Sequence, residues 1–320
     1  LVRSGVATRT YAALDRWVSW LPGGLVHANI ATATMFSATS GSSVATAATV
    51  ATVAMPQAEK LGYDPKLFSG AIAAGGTLGI MIPPSINLIV YGFLTQSSIP
   101  QLFLAGLLPG LGLALAFMVI TVIICMIRPE LGGLRRTFPI AQMLRALIDL
   151  VPIIILFGLI VGSIYRGWAT PTEAAAVGVA GALVIAAVFG GISLQMMAQS
   201  LLGTIKITSM IMLIVLYIVL GFFIETLSLM VVTIPIVVPL VVEQGFDTIW
   251  FGILMIVLIE MALITPPVGL NLYVVQGARK SGTLTEVMLG AIPYVCMMLL
   301  MVVLLIAFPS IALFLPNALQ

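Results

Sequence analysis

Small polar residues interrupt the apolar sequence at two places where a helix would otherwise continue. The first interruption is Ser37–Ser43 (SATSGSS), and the second, Gly75–Ser85 (GGTLGIMIPPS), ends with two adjacent prolines before its last serine. Proline removes a backbone donor and clashes with the preceding turn, so a helix over 66–95 is predicted to break near 77–85. A broken helix frees carbonyl oxygens, and Ser and Thr add hydroxyl oxygens. These are the ligands that a small hard cation prefers.

The same pattern occurs twice along the chain. The pairs that match at an offset of 183 or 184 residues include Pro56 and Pro239, Gly62 and Gly245, Asp64 and Asp247, Pro83 and Pro266, Asn87 and Asn271, and Pro109 and Pro293. Hydrophobic segments that are interrupted at matching places in two halves are the best sequence indication of a secondary transporter's binding site. Asp64 and Asp247 precede the two broken helices and are predicted to be their N-caps.

Candidate binding residues follow from these breaks. The first predicted cation site comprises Ser40, Ser42, Ser43, Thr77, Gly79 and Pro83. The second comprises Thr226, Ser228, Thr265 and Gly269. Half-helix N-termini carry partial positive charge that suits an anionic substrate, and the candidates for that role are Ser85, Asn87, Pro267 and Asn271. No catalytic residue and no cofactor other than coupling sodium ions is predicted.

Several of these residues have a second interpretation. Small residues such as Gly, Ser and Thr also serve close helix packing in membranes, and this alternative stays open for each Ser and Thr above. Glu225 and Glu260 are acidic residues near membrane depth, where carboxylates are functional by default. Glu225 also fits a hairpin tip in water, and Glu260 also fits a role in organising the second break.

The composition identifies the bilayer as the solvent of this chain. Of the 320 residues 61% are hydrophobic and 8% are charged, and the formal net charge is +2. The mean hydropathy is +1.22. A soluble enzyme, a nucleic-acid-binding protein and a disordered chain are excluded, because too little polar surface exists to cover a water-soluble fold. The apolar runs long enough to cross the membrane as helices are 102–127, 147–165, 173–192, 204–223 and 286–315.

The predicted fold is therefore an all-α polytopic membrane protein with two repeated halves. Each half is expected to contain a re-entrant hairpin and a helix broken at Pro-Pro. The predicted order is an amphipathic interfacial arm (1–22), a first repeat (23–127, with hairpin 23–56, broken helix 66–95 and span 102–127), connecting spans (128–203) and a second repeat (204–320, with hairpin 204–242, broken helix 248–278 and span 286–315).

Four motifs in this order resemble one family of transporters. They are Ser40–Ala48 (SGSSVATAA), Gly76–Ser85 (GTLGIMIPPS), Thr170–Ala176 (TPTEAAA) and Thr265–Leu272 (TPPVGLNL). Nearly the whole chain resembles the large permease subunit of TRAP (tripartite ATP-independent periplasmic) transporters. The resemblance implies sodium-driven import of organic acids such as C4-dicarboxylates or sialic acids across a bacterial or archaeal inner membrane. It also implies a small membrane subunit and a periplasmic substrate-binding protein as partners, an elevator-type motion, and sodium sites at the tips and breaks.

The chain departs from the family pattern in three respects. Members usually carry further spans before the position of Leu1, so an N-terminal region is expected to be missing here. Many members have Asp where Thr46 stands. The basic residues Arg279 and Lys280 reach the cytoplasmic side only if one more crossing occurs between 193 and 225, for which the chain is too short. A segment is therefore predicted to be absent near Leu213–Val219, leaving one continuous helix over 204–223.

Three other functions compete with this interpretation. A two-component symporter or antiporter for di- or tricarboxylates would share the architecture. An ion channel fits less well, because two breaks near the midplane suit occluded sites better than a continuous pore. An intramembrane serine protease would use Gly41–Val44 as a nucleophile loop, with His27 as its only possible histidine base.

Overall fold

The computed structural model describes residues 5–133, 136–189, 192–202, 226–266, 269–279 and 282–319. The side chains of residues 59–60, 189 and 226–229 also lie outside this description. Within the described ranges all regular secondary structure is helical. This agrees with an apolar chain that must satisfy its backbone hydrogen bonds inside each segment.

Residues 5–133 contain six α-helices, which cover most of the predicted arm and first half. Their α-helices are α1 (Val6–Val18), α2 (Leu25–Ser40), α3 (Ser43–Leu61), α4 (Pro65–Met81), α5 (Ile86–Thr95) and α6 (Ile99–Ile127). The Asp64 side chain accepts a hydrogen bond from the Leu67 amide at 2.8 Å, which caps α4. Pro65 follows at the first helical position, where its missing N–H costs nothing.

The later part of the chain contains a second pair of helices separated by a break. The described helices are α7 (Ile140–Ala146), α8 (Val151–Tyr165), α9 (Pro171–Phe189), α10 (194–202), α11 (Thr226–Glu243), α12 (Thr248–Ala262), α13 (Leu270–Ala278), α14 (Leu284–Ala307) and α15 (Ser310–Ala318). The Asp247 side chain accepts from the amides of Ile249 and Trp250 at 2.8 and 2.9 Å. Both predicted aspartate N-caps are therefore confirmed.

The described residues contain four helical segments long and apolar enough to cross a membrane. They are Pro65–Thr95, Ile99–Ile127, Pro171–Val188 and Leu284–Ala307. The pair Ile140–Asp149 and Val151–Tyr165, bent by 42° at Leu150, makes a fifth if it counts as one broken span. The predicted span over 204–223 lies outside the described residues.

Two predicted boundaries are wrong, and local backbone chemistry explains each. The second hairpin leg, expected to end at Pro56, continues as α3 to Leu61 and ends at Gly62, whose φ of 68° provides a left-handed helix cap. The last span, expected over 286–315, ends at Ala307. Phe308 precedes Pro309 and is held out of the helical region at φ −133°, so a separate helix follows.

Helix α4 forms the centre of the packed structure. Every residue from Leu67 to Met81 is buried, and α4 packs most extensively against α14, α3 and α2. The contact with α14 is backbone against backbone: a Cβ atom at Gly70 would lie 2.0 Å from the Gly290 carbonyl carbon, and one at Gly290 would lie 1.8 Å from the Lys66 carbonyl oxygen. Small residues that permit such close approach are typical of helix interfaces in membranes.

This contact predicts the effect of a single added methyl group. Gly290→Ala should lower the thermal unfolding temperature of the detergent-solubilised protein. The new Cβ meets backbone that cannot move aside, and overpacking costs about 1–3 kcal/mol. Gly158→Ala is the matched control, because no atom lies within 4 Å of the added Cβ in α8. Equal unfolding temperatures for Gly290→Ala and the unmodified protein would contradict this packing.

Candidate functional site

The loop between α2 and α3, which we call the first tip (residues 41–42), lies against the break between α4 and α5. The Ile86 amide donates a hydrogen bond to the Gly41 carbonyl oxygen at 3.4 Å. Gly41 has a φ of 60°, and a Cβ atom there would lie 2.8 Å from the Pro84 carbonyl oxygen. Both the positive φ and the close approach require glycine. The structure thus brings the first tip and the first break (residues 82–85) together.

Hydroxyl groups surround the first tip. Ser40 Oγ lies 2.5 Å from Thr46 Oγ1 and donates to the Ser42 carbonyl oxygen at 3.3 Å. Ser42 caps α3, and its Oγ accepts from the Ala45 amide at 3.5 Å. Buried Thr46 is a member of this group that sequence reasoning did not select. Its position one helical turn after Ser42 is the signal that would have found it, because residues four apart share a helix face.

The predicted cation site assumed that Thr77 and Gly79 lie in unwound chain. The structure instead places both residues in helix α4. Helix α4 continues to Met81, and Thr77 Oγ1 donates to the Ala74 carbonyl oxygen of the same helix at 2.6 Å. The chain leaves the helix at Ile82, which has φ −87° and ψ 124°, because the residue before a proline is disfavoured in the helical region. The upstream glycines serve packing instead: a Cβ at Gly79 would lie 2.6 Å from the Ser42 carbonyl oxygen.

The first break frees backbone oxygens next to the first tip. Pro83 and Pro84 have no N–H, so the carbonyl groups four residues earlier, at Gly79 and Ile80, receive no helical hydrogen bond from them. The close approach of the Ser42 carbonyl oxygen to Gly79 adds a further oxygen at this place. The backbone of Gly79 and Ser42 therefore lies beside the Thr46 hydroxyl, which in turn contacts the Ser40 hydroxyl.

The second break separates α12 from α13. Thr265 Oγ1 donates to the Met261 carbonyl oxygen at 2.6 Å, and Gly269 adopts a left-handed conformation with φ 47°. The Asn271 amide donates to the Leu263 carbonyl oxygen at 3.1 Å, which closes the turn. Pro267 lies outside the described residues. Thr226 and Ser228 belong to α11, but their side chains lie outside the description.

The candidate substrate residues that are described lie in or beside the first turns of two helices after a break. Ser85 caps α5, since its Oγ accepts from the Leu88 amide at 3.3 Å. Asn87 and Asn271 occupy the second position of α5 and α13, respectively, and both side chains are buried. The partial positive charge of these helix starts faces the breaks.

A hydrogen bond between two side chains joins α3, beside the first break, to α12, which precedes the second break. Ser43 Oγ, at the start of α3, donates to Glu260 Oε2 of α12 at 2.5 Å. Asn271 Nδ2 of α13 donates to the Ala73 carbonyl oxygen of α4 at 3.4 Å. Residues 217 positions apart in the sequence are thereby linked inside the protein.

Glu260 is the main residue that neither the predicted cation sites nor the predicted substrate site include. Its side chain is 0% exposed, and no described residue forms a hydrogen bond with its Oε1 atom. The signal was an acidic residue inside an otherwise apolar helix, which sequence reasoning noticed without assigning it a ligand role. An intramembrane carboxylate is a functional group by default.

The helical segments that are long and apolar enough to cross a membrane define a polytopic membrane protein. The family profile "Tripartite ATP-independent periplasmic transporter, DctM component" matches residues 1–217 and 206–311. The chain belongs to this family. It is a membrane-embedded component of a transporter in the inner membrane, and it is not an enzyme.

Curated relatives agree with this assignment. The C4-dicarboxylate TRAP transporter large permease protein of Pseudomonas aeruginosa is 32% identical over 99% of this chain and 83% of its own length. The isethionate TRAP transporter permease protein of Oleidesulfovibrio alaskensis is 34% identical over 97% of this chain and 55% of its own length. The sialic acid TRAP transporter large permease protein of Vibrio cholerae is 29% identical over 98% of this chain and 82% of its own length.

The bond between Ser43 and Glu260 can be measured as a coupling. Ser43→Ala should destabilise the protein by about 1.5–3 kcal/mol, because it leaves a buried carboxylate oxygen unpaired. The same change should cost much less after Glu260→Leu has removed the carboxylate, and thermal unfolding of the four proteins measures the difference.

Ser69→Ala is the control for this cycle. Ser69 is equally buried, but its hydroxyl donates to Pro65 within its own helix. Equal costs of Ser43→Ala with and without Glu260 would rule out the coupling.

Proposed function

We propose that this chain is the membrane subunit of a sodium-coupled importer of small organic acids. Acids of the C4-dicarboxylate or sialic-acid type are the proposed substrates, which the names of similar permeases support. A periplasmic substrate-binding protein would deliver the substrate, and a small TRAP membrane subunit would complete the assembly. Sodium ions would be the coupling ions, bound by oxygen ligands at the tips and breaks.

The contact between the first tip and the first break carries this proposal. The Ser40 and Thr46 hydroxyls, on either side of the first tip, lie beside the backbone of Gly79. The Gly79 carbonyl oxygen receives no helical hydrogen bond from Pro83, because proline has no N–H. Oxygen atoms of this kind are suitable ligands for a small hard cation. A site of this construction, at the interruption of a membrane helix, is typical of secondary transporters.

We also propose that the two halves are structural repeats with re-entrant hairpins. Reciprocal packing supports this: α13, after the second break, packs on α3, while α5, after the first break, packs on α11. Likewise α4 packs on α14, and α12 packs on α6. The proposed repeats are residues 23–127 and 204–320, with the arm 1–22 before them and the spans of 128–203 between them.

The comparisons support the absence of an internal segment. The family profile matches in two pieces that overlap at residues 206–217. The alignment with the Pseudomonas relative extends over 359 positions, more than the 320 residues of this chain. We propose that relatives carry additional residues near Leu213–Val219. The continuous helix predicted over 204–223 lies outside the described residues.

The rival functions are not favoured. Membership of the TRAP family argues against a two-component symporter or antiporter, an ion channel and a protease. His27, the histidine that a serine protease would need, has its Nε2 atom 2.7 Å from the Pro22 carbonyl oxygen. Ser43 donates to Glu260 rather than to a histidine.

Uptake into proteoliposomes tests the proposed function. The purified chain, reconstituted with its small subunit and binding protein, should accumulate a labelled C4-dicarboxylate or sialic acid only when an inward sodium gradient is imposed. Replacing sodium by potassium, omitting the binding protein or adding a sodium ionophore should each abolish accumulation. Equal uptake with sodium and potassium gradients would refute sodium coupling.

A variant connects this uptake to the first tip. Gly79→Ala should reduce sodium-driven uptake by roughly 10- to 100-fold, because its Cβ would displace the Ser42 carbonyl oxygen, and moving groups around an ion site has effects of this size. Gly162→Ala, whose Cβ would meet no atom within 4 Å, is the control. Uptake equal to that of the control would show that the first tip is not part of the ion pathway.

A further inference from the structure

Glu260 is a buried acid without a balancing positive group. Its side chain is fully buried, and none of the ion pairs among the described residues includes it. One carboxylate oxygen, Oε2, accepts from Ser43, while Oε1 has no partner among the described residues. Buried charges in proteins are paired or coordinate metal ions, because an isolated charge in a low-dielectric interior is very costly.

Asn271 presents a second oxygen that lacks a partner. Its side chain is fully buried, and its Nδ2 atom donates to Ala73 at 3.4 Å. Within the part of the chain that the structure describes, the other end of the amide, Oδ1, has no hydrogen-bond partner. A buried amide oxygen without a donor carries a desolvation penalty, so a ligand is expected to occupy the position beside it.

A continuous set of contacts connects these two residues. The Leu263 amide donates to the Glu260 carbonyl oxygen, and the Leu263 carbonyl oxygen accepts from the Asn271 amide, both at 3.1 Å. On the other side, a Cβ at Gly76 would lie 3.1 Å from Asn271 Nδ2 and 3.2 Å from the Ser43 carbonyl oxygen. Ser43 and Asn271 therefore both lie beside Gly76, and Glu260 is hydrogen-bonded to Ser43.

The surrounding helices favour a charged carboxylate here. Ser43 is the first residue of α3 and Asn271 the second residue of α13, so both helices direct their partially positive ends toward this region. A carboxylate that stays ionised in an apolar interior requires a positive ion beside it. A single carboxylate balances a monovalent ion, whereas divalent ions are usually held by more carboxylates or by retained water.

We propose that a sodium ion binds between Glu260 Oε1 and Asn271 Oδ1, with Ser43 Oγ as a third ligand. This site shares Ser43 with the first predicted cation set, but it differs from both predicted sets because its charged ligand comes from the body of α12. It joins α3 and α4 of the first half to α12 and α13 of the second. The inference rests on the proposed sodium coupling and assigns a carboxylate to it.

Sodium-dependent thermal stability of the purified full chain tests this site. Unfolding temperatures are measured over a sodium series in which choline keeps the ionic strength constant. In Glu260→Gln, the sodium concentration that gives half of the stabilisation should rise roughly 10- to 100-fold, the range found when metal sites lose supporting groups. Asn271→Leu should raise it as well. Glu243→Gln, at an exposed carboxylate, is the matched control and should behave as the unmodified protein.

The outcomes separate this inference from the proposed function. A folded Glu260→Gln protein with an unchanged sodium midpoint would overturn the site, because glutamine keeps the size and shape of the acid but loses its charge and one of its two oxygens. If Glu260→Gln does not fold, an unchanged midpoint in Asn271→Leu overturns it instead. Sodium-driven uptake that persists in such variants would leave the proposed function standing. Uptake by the unmodified protein that ignores sodium would refute sodium coupling, and this inference with it.

Discussion

A backbone group that leaves a helix inside the membrane must find its partner within the protein, because lipid offers none. Both breaks obey this constraint. The Ile86 amide after the first break is satisfied by Gly41 of the first tip, and the Asn271 amide after the second is satisfied by Leu263. The first tip therefore stabilises the first break by accepting this hydrogen bond. This contact between the first tip and the first break fixes the position of α2 and α3 relative to α4 and α5.

Much of this arrangement follows from the sequence by simple chemistry. Asp64 and Asp247 are N-caps because a carboxylate before a helix accepts from exposed amides, and the structure shows these bonds. The pair Pro83–Pro84 ends α4 because neither residue offers an N–H. Helix rather than strand follows from long apolar runs. In each case the decisive interaction is local, so a short stretch of sequence contains the necessary information.

The parts that sequence reasoning missed depend on distant residues. Gly75, Gly76 and Gly79 suggested unwinding, yet they lie in regular helix, where their missing side chains admit neighbouring helices. Glycine lowers helix propensity and also permits close packing, and only the presence of a partner decides between these effects. Glu260 was not assigned because its partner, Ser43, stands at the opposite end of the chain. Neither contact has a period or spacing that a sequence displays.

The glycine contact between α4 and α14 limits how this protein can change shape. The backbones of Gly70 and Gly290 are in direct contact. If either helix slid along the other, residues with side chains would replace these glycines and collide with the facing main chain. Any large rearrangement must therefore carry both helices as one rigid piece. The contact between α11 and α5 is less extensive and is better suited to act as the sliding plane.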